Sequence, residues 1–333
     1  MKYSRFLFVV LGMISSIGLS LAQQSKDTNA KLKIAVTQIV EHPALDETRK
    51  GLYDRLVEEG YEGDKLSWTY DSAQGNMSLA AQIAQKFVGQ KPDVIVAIAT
   101  PSAQSFLSAN AQSQIPVVFT SVSDPLGAKL VKDLKNPQGF MTGVSNMIDW
   151  APQLDLIKNL VPNLKTVGVI YNPGEANSVT LIEQFKGLCK EQNIKVVPAM
   201  ANKSIDVGPA AQSLVGKVDL IFITNDSTAF SAFDAVAKTG LEAKIPIVVS
   251  DIDLIDQGAL AAIGPNQYEI GRQTGEMVIN IINGQNPSTM PVVFPDRIDL
   301  ALNLKTAKAI NLSISEDLLK RATVTVGKQH KEK

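Results

Sequence analysis

Lys91-Pro92-Asp93-Val94-Ile95-Val96-Ala97-Ile98 has a counterpart in the second half of the chain, Lys217-Val218-Asp219-Leu220-Ile221-Phe222-Ile223-Thr224. In each copy an apolar strand runs straight into a small, polar turn. The turns are Ala99-Thr100-Pro101-Ser102-Ala103 and Asn225-Asp226-Ser227-Thr228-Ala229. A helical stretch follows in both. A second strand then opens on the same dipeptide, in Ile115-Pro116-Val117-Val118 and Ile245-Pro246-Ile247-Val248. Two copies of one α/β plan imply two similar lobes with a cleft between them. Polar strand ends facing that cleft imply ligand capture.

Outward from the repeat, strands alternate with single helices. In the first half, strands are expected at 32–39, 65–70, 93–98 and 116–120, with helices at 44–59, 76–88 and 102–111. Such alternation implies right-handed crossovers and parallel sheets. The continuous apolar run Val94 to Ile98 fits a strand buried on both faces. The second half repeats the pattern, with strands near 164–170, 194–198, 219–223 and 246–250 and helices near 175–192, 207–216 and 228–243. A helix at 150–160, a strand at 258–263, a helix at 266–283 and a strand at 297–302 complete it. The expectation is an α/β protein of two similar Rossmann-like lobes with parallel sheets, joined by a hinge. One lobe spans 31–145 plus 266–290, the other 146–265 plus 291–327.

The 333 residues are enough for two ordinary domains, and 45% hydrophobic against 20% charged residues can build a core. Residues 1–22 read as a signal peptide. Lys2 and Arg5 form the positive start, Phe6 to Leu19 the apolar stretch, and Ser20-Leu21-Ala22 a small-x-small cleavage site before Gln23. The rival reading, a membrane anchor, meets an apolar run shorter than the ~20 residues a span needs. Losing Lys2 and Arg5 from 32 basic residues leaves 30 against 33 acidic, a net charge of −3. With no basic stripe, nucleic acid is not an expected partner. The lone cysteine, Cys189, sits on the apolar side of a helical pattern, so a core role is expected and no intrachain disulfide is possible. No cysteine follows the signal to carry a lipid. A freely soluble periplasmic protein, not a lipoprotein, is expected, with a charged tail from Lys328 that frays.

Several phrases occur in a telling order: His42-Pro43-Ala44-Leu45-Asp46, Ala99-Thr100-Pro101-Ser102-Ala103-Gln104, Ser123-Asp124-Pro125, Tyr171-Asn172-Pro173-Gly174-Glu175-Ala176-Asn177-Ser178 and Gly264-Pro265-Asn266-Gln267-Tyr268-Glu269-Ile270-Gly271. Each is weak alone. Together they resemble the substrate-binding proteins of ABC importers associated with tryptophan and tyrosine. That resemblance spans nearly all of the chain beyond residue 22. It implies the type I periplasmic binding-protein fold, and a receptor that delivers a small solute to a membrane permease and its ATPase. The expected state is a monomer.

In open parallel sheets ligands sit beyond the carboxyl ends of the strands. That rule selects Gln38 and His42 after the first strand, Thr100, Pro101 and Ser102 after the third, and Asp124 after the fourth. In the second lobe it selects Glu175, Asn177 and Ser178, then Asn225 and Asp226, then Ser250 and Asp251. The helix start at Thr100 offers free N–H groups to a carboxylate. The bland alternative there is a well-capped helix. Asp124 suits an ammonium group, yet Asp before proline is also an ordinary turn residue. Asp226 likewise suits an amine, while Ser227 and Thr228 can cap the helix that follows. Trp68 and Trp150 are read as packing residues ahead of stacking platforms. Carboxylates together with a helix start suit a zwitterion, so an amino acid, with an aromatic one favoured by the resemblance, is the leading ligand.

The alternatives are a sugar or nucleoside in the same cleft, or an enzyme. Sugar sites lean on stacking aromatics, which tests that option. Against catalysis, no Gly-x-Ser-x-Gly elbow, phosphate loop or His–Cys pair occurs. Two histidines, one of them the tail residue His330, cannot build a metal cluster. No cofactor is expected.

Overall fold

The computed structural model describes residues 31–147 and 149–327. The signal-peptide reading of residues 1–22 and the tail from Lys328 lie outside the described residues.

The first sheet and its helices run β1 (Leu32–Gln38), α1 (Pro43–Glu58), β2 (Leu66–Ser72), α2 (Met77–Gln90), β3 (Val94–Ile98), α3 (Thr100–Ala109), β4 (Val117–Val122) and β5 (Met141–Ser145). The strand order is β2-β1-β3-β4-β5, and every pair is parallel. All five side chains of β3 are buried, as its unbroken apolar run requires.

The chain continues through α4 (Trp150–Leu160), β6 (Thr166–Tyr171), α5 (Ala176–Glu191), β7 (Lys195–Met200), α6 (Ser204–Leu214), β8 (Leu220–Ile223), α7 (Ser227–Ser231), α8 (Phe233–Ala243), β9 (Ile247–Val249) and β10 (Ala261–Pro265). Then follow α9 (Gln267–Ile282), β11 (Ile298–Asn303), α10 (Leu304–Ala309), α11 (Glu316–Arg321) and β12 (Val324–Val326). The second sheet has the order β12-β11-β10-β9-β8-β6-β7, parallel except between β10 and β11. The protein is an α/β molecule of two lobes built on parallel-dominated sheets.

Three departures from the sequence reading bear on the cleft. β5, a short Met-Thr-Gly-Val-Ser strand with no apolar run to announce it, lies beside β4. It is held from the other side by the segment after α9: Thr142 Oγ1 donates to the Met290 carbonyl (2.8 Å) and Val293 N–H to the Gly143 carbonyl (3.0 Å). The helix expected over 228–243 breaks at Ala232 into α7 and α8. β4 runs past its expected end to Val122 through an irregularity at Ser121, whose φ is +53°. Such a bulge re-aims a side chain. Here it turns the Ser121 hydroxyl toward Thr48 (3.0 Å) and Gln267 (2.9 Å).

α9 follows a strand of the second sheet, yet its apolar face (Ile270, Met277, Val278, Ile281) joins the core of the first. It lies directly on α1. A Cβ on Gly271 would collide with the Thr48 carbonyl, and one on Gly51 with the Tyr268 carbonyl. Two bare backbones in contact set the starts of α1 and α9 side by side, with His42 and Gln267 at their N-termini. Arg272–Glu58 (2.7 Å) and Arg55–Glu276 (2.7 Å) tie the same pair of helices at the surface.

Candidate functional site

The carboxyl ends of β1, β3, β4, β5, β6, β8 and β9 converge on one narrow cavity between the sheets, of about 20 Å³. This is room for about one water. A solute of amino-acid size enters only if the lobes part.

The first sheet contributes His42 and Leu45 from the start of α1, Ala99 and Thr100 at the start of α3, Ser121 and Ser123 beyond β4, and Asn146 beyond β5. Ala99 carries φ +75° and ψ 155°, a conformation costly for a residue with a Cβ. The kink ends β3 abruptly and starts α3 with no side-chain cap. The first N–H groups of α3 therefore remain free of helix partners. The Thr100 side chain is 1% exposed and its hydroxyl is unpartnered.

The second lobe contributes Asn177, Asn225, Asp226, Phe230 and Asp251. Asn177 Nδ2 donates to the Asn225 carbonyl (2.7 Å), which leaves its own side-chain carbonyl unpartnered. Asn225 Nδ2 donates across the cleft to Ser123 Oγ (3.2 Å), and its side-chain carbonyl is also unpartnered. The buried Nδ1 of His42 has no partner either. A buried polar atom without a partner is expensive. Four of them, from both lobes, border this one cavity.

The acidic groups are buried with no lysine or arginine among the residues lining the cavity. Asp226 accepts from Ala229 N–H (2.7 Å) and Asn172 N–H (2.6 Å), so it caps α7 and pins the turn after β6. Burial raises its pKa even so. Glu175 accepts from Ser227 N–H (3.1 Å), Thr228 N–H (3.0 Å) and Thr228 Oγ1 (2.7 Å). Burial, and then the neighbouring Asp226 charge, push it up to about 8. Asp251 accepts from Gln267 Nε2 (2.9 Å), and burial with the Asp253 charge holds its pKa well above the usual carboxylate range. Burial pushes Asp253 up to about 6. Burial alone pulls His42 down to about 3, so its imidazole is neutral across the physiological range.

Of the residues selected from sequence, His42, Thr100, Asn177, Asn225, Asp226 and Asp251 line this cavity. Glu175 instead borders a larger, outer cleft of about 620 Å³ together with Ile39, Val40, Met77 and Ile205. The other six are not brought to the inner cavity. Gln38 is locked into a network with Asp46 (3.0 Å), Arg49 (2.9 Å) and the Val40 carbonyl (2.9 Å). Asp124 closes its own turn by accepting from Gly127 N–H (2.8 Å). Pro101 and Ser102 are buried in the first turn of α3, behind Thr100. Ser178 is buried in the first turn of α5 with its hydroxyl unpartnered, and Ser250 donates weakly to the Ile223 carbonyl (3.4 Å). Beyond the residues selected from sequence, Leu45, Ala99, Ser121, Ser123, Asn146, Ser227, Phe230 and Gln267 also line the cavity. Gln267 begins α9 and joins Thr48, Ser121 and Asp251. Phe230 lies a helical turn beyond Asp226, and its position follows from the break at Ala232.

Trp68 packs edge-on against Tyr53 (5.3 Å), and Trp150 lies against Phe185 (5.5 Å) while its Nε1–H donates to Gln184 (2.9 Å). Neither borders the cavity. Among the described residues, no group of three or more His, Cys, Asp or Glu is placed to hold a metal ion, and no helix is long and apolar enough to cross a membrane.

The family model for ABC transporter substrate binding proteins matches residues 33–326. The chain belongs to that family. Substrate-binding proteins of this kind capture a small molecule outside the cytoplasmic membrane, hand it to a membrane transporter, and as a family are not enzymes. A tyrosine-binding protein of Clostridioides difficile is 35% identical over 316 residues, 94% of this chain and 91% of that protein. Three solved structures each align with 89% of this chain. A conserved domain protein from Vibrio cholerae is 44% identical with a TM-score of 0.86, over 100% of that chain. A domain from Streptococcus pneumonia in complex with L-Trp is 34% identical with a TM-score of 0.85, also over 100%. The ligand-free, open structure of an adhesive substrate-binding protein from Clostridium difficile is 36% identical with a TM-score of 0.65, over 99%. The last two differ little in identity but much in superposition, as expected when lobes rotate about a hinge. This chain superposes more closely on the L-Trp complex than on the ligand-free, open structure. The type I periplasmic binding-protein fold is shared with far more distant proteins, including a solute-binding protein from Bacillus halodurans at 13% identity and a TM-score of 0.62.

Proposed function

We propose that this chain is the periplasmic receptor of an ABC importer and closes on an aromatic amino acid held as a zwitterion. The observation that carries the reading is the set of unpartnered polar atoms meeting at the interlobe cavity. The free N–H groups of α3 and the Thr100 hydroxyl take the ligand carboxylate on the first lobe. The Asn177 and Asn225 carbonyls, beside the Asp226 and Asp251 carboxylates, take its ammonium group on the second. With no arginine at the cavity, backbone donors do the work of a guanidinium clamp. The tyrosine-binding relative and the L-Trp complex support the aromatic choice.

A sugar finds no tryptophan to stack on, which weighs against that alternative. Residues 1–22 act as the cleaved export signal, residues 31–145 with 266–290 form one lobe, and 146–265 with 291–327 form the other. The protein works as a monomer with a permease and an ATPase, without catalysis. Thermal unfolding against all twenty amino acids, after refolding to strip carried ligand, tests the reading. At 100 times its Kd a true ligand adds about 2.7 kcal/mol of stability, a shift of a few degrees. Shifts confined to tryptophan, tyrosine or phenylalanine are expected. A flat panel excludes an amino-acid ligand.

A further inference from the structure

We infer that His42 decides which aromatic side chain this receptor prefers, by reading the polar tip of the ligand ring while Phe230 flanks that ring. The inference rests on the amino-acid reading above and adds the residue that sets specificity within it.

His42 arrives from the β1–α1 connection on the first lobe and Phe230 from α7 on the second. Their ring centroids are 5.7 Å apart and the planes meet at 78°. Two nearly perpendicular rings make a corner, and the corner exists only when the lobes are together. A flat ligand ring entering it meets one wall face-on and the other edge-on, the two arrangements aromatic pairs favour. Leu45, 5% exposed, supplies further apolar surface from the same turn of α1.

The polar side of His42 has no structural duty. It is the N-cap residue of α1, yet its side chain makes no cap hydrogen bond. It is 6% exposed and its Nδ1 is unpartnered. The other unpartnered atoms at the cavity are accounted for by a zwitterion: Thr100 by the carboxylate, Asn177 and Asn225 by the ammonium. Nδ1, on the ring that meets Phe230, is left for the side chain.

A neutral imidazole carries one N–H donor and one acceptor nitrogen. A phenol hydroxyl satisfies either. An indole N–H satisfies the acceptor. A phenyl ring satisfies neither, so a buried nitrogen stays unpaired when phenylalanine binds. Sites that hydrogen-bond a ligand group reject the analogue lacking it. Tyrosine or tryptophan therefore outranks phenylalanine by about tenfold or more.

Calorimetric titration of the refolded protein with tyrosine, tryptophan, phenylalanine and leucine tests this in the wild type, His42→Phe and Phe230→Leu. The expected result is a tenfold or larger preference over phenylalanine that shrinks to about threefold or less in His42→Phe, with phenylalanine affinity retained. Phe230→Leu weakens all three aromatic ligands together. The inference is overturned if His42→Phe weakens every ligand by one common factor, which places the imidazole at the ligand's head group, or if the wild type binds phenylalanine as tightly as the other two. No binding of any aromatic amino acid by the wild type removes the amino-acid reading itself, and this one with it. A readout without mutation is available because the chain has two histidines. The ring-nitrogen resonances of His42 in 15N-histidine-labelled protein should move with tyrosine or tryptophan and stay nearly still with phenylalanine. Equal movement with all three contradicts the inference.

Discussion

Thr100→Val separates a hydroxyl kept for a ligand from one kept for the fold. The side chain is 1% exposed, opens α3 and has an unpartnered oxygen. Valine has nearly the same shape, so packing against β3 and β4 is preserved. A buried hydroxyl with no partner stabilises nothing in the ligand-free protein. Its removal should leave the unfolding free energy unchanged or raise it by about 1 kcal/mol. In the complex the hydroxyl donates to a carboxylate, and a hydrogen bond to a charged group is worth about 1.5–3 kcal/mol. That converts to about a 10- to 100-fold loss of affinity. Urea unfolding of the ligand-free variant and calorimetric titration with the preferred amino acid give both numbers. A variant that binds like the wild type refutes the placement of the carboxylate at α3. A variant that loses more than about 1 kcal/mol without ligand shows the hydroxyl to be structural.

Three further outcomes follow from the geometry. Glu175 is held protonated up to about pH 8, against 4.5 for an ordinary glutamate, so between those values the folded chain keeps a proton the unfolded chain releases. Stability should therefore fall as pH rises from about 4.5 to about 8, and Glu175→Gln should flatten that slope; a wild type that gains stability over this window contradicts it. Ser123→Ala removes the acceptor of the Asn225 hydrogen bond across the cleft (3.2 Å), so ligand affinity should weaken about fivefold for the ~1 kcal/mol lost from the closed form; unchanged affinity means the contact does not favour closure. Gly271→Ala drives a methyl into the Thr48 carbonyl, and chemical unfolding should show a loss of about 1–3 kcal/mol as α1 and α9 separate; a neutral result means that contact is looser than drawn.

The repeat Lys91–Ile98 against Lys217–Thr224 placed β3 and β8, and the carboxyl-end rule then led to Thr100 and Asp226 without a structure. The same rule misses Asn146, because Gly143 interrupts β5 and leaves no continuous apolar run to announce a strand. That segment is a strand only through its pairing with β4 and the 290–293 segment, which lies far away in the chain. Asp124 and Asp226 look alike locally, each an acid after a strand. Asp124 turns back to Gly127 while Asp226 reaches the cavity, and nothing within a few residues of either decides it. Glu175 is drawn off the cavity by the free N–H groups of Ser227 and Thr228, 52 and 53 residues on. Phe230 and Gln267 depend on a helix break and on the close approach of Gly51 to the Tyr268 carbonyl and of Gly271 to the Thr48 carbonyl, both tertiary in origin. Local pattern therefore supplies the strand ends. Which of them share a wall is settled by packing between distant segments.

Small-angle scattering of the refolded receptor, with and without saturating tyrosine or tryptophan, tests closure on an aromatic amino acid most directly. A fall in the radius of gyration with either ligand, and none with alanine or with glucose, is the result expected of two lobes shutting on their solute. Calorimetric saturation with no change in the radius would contradict hinge closure, and a fall produced by glucose alone would contradict the amino acid.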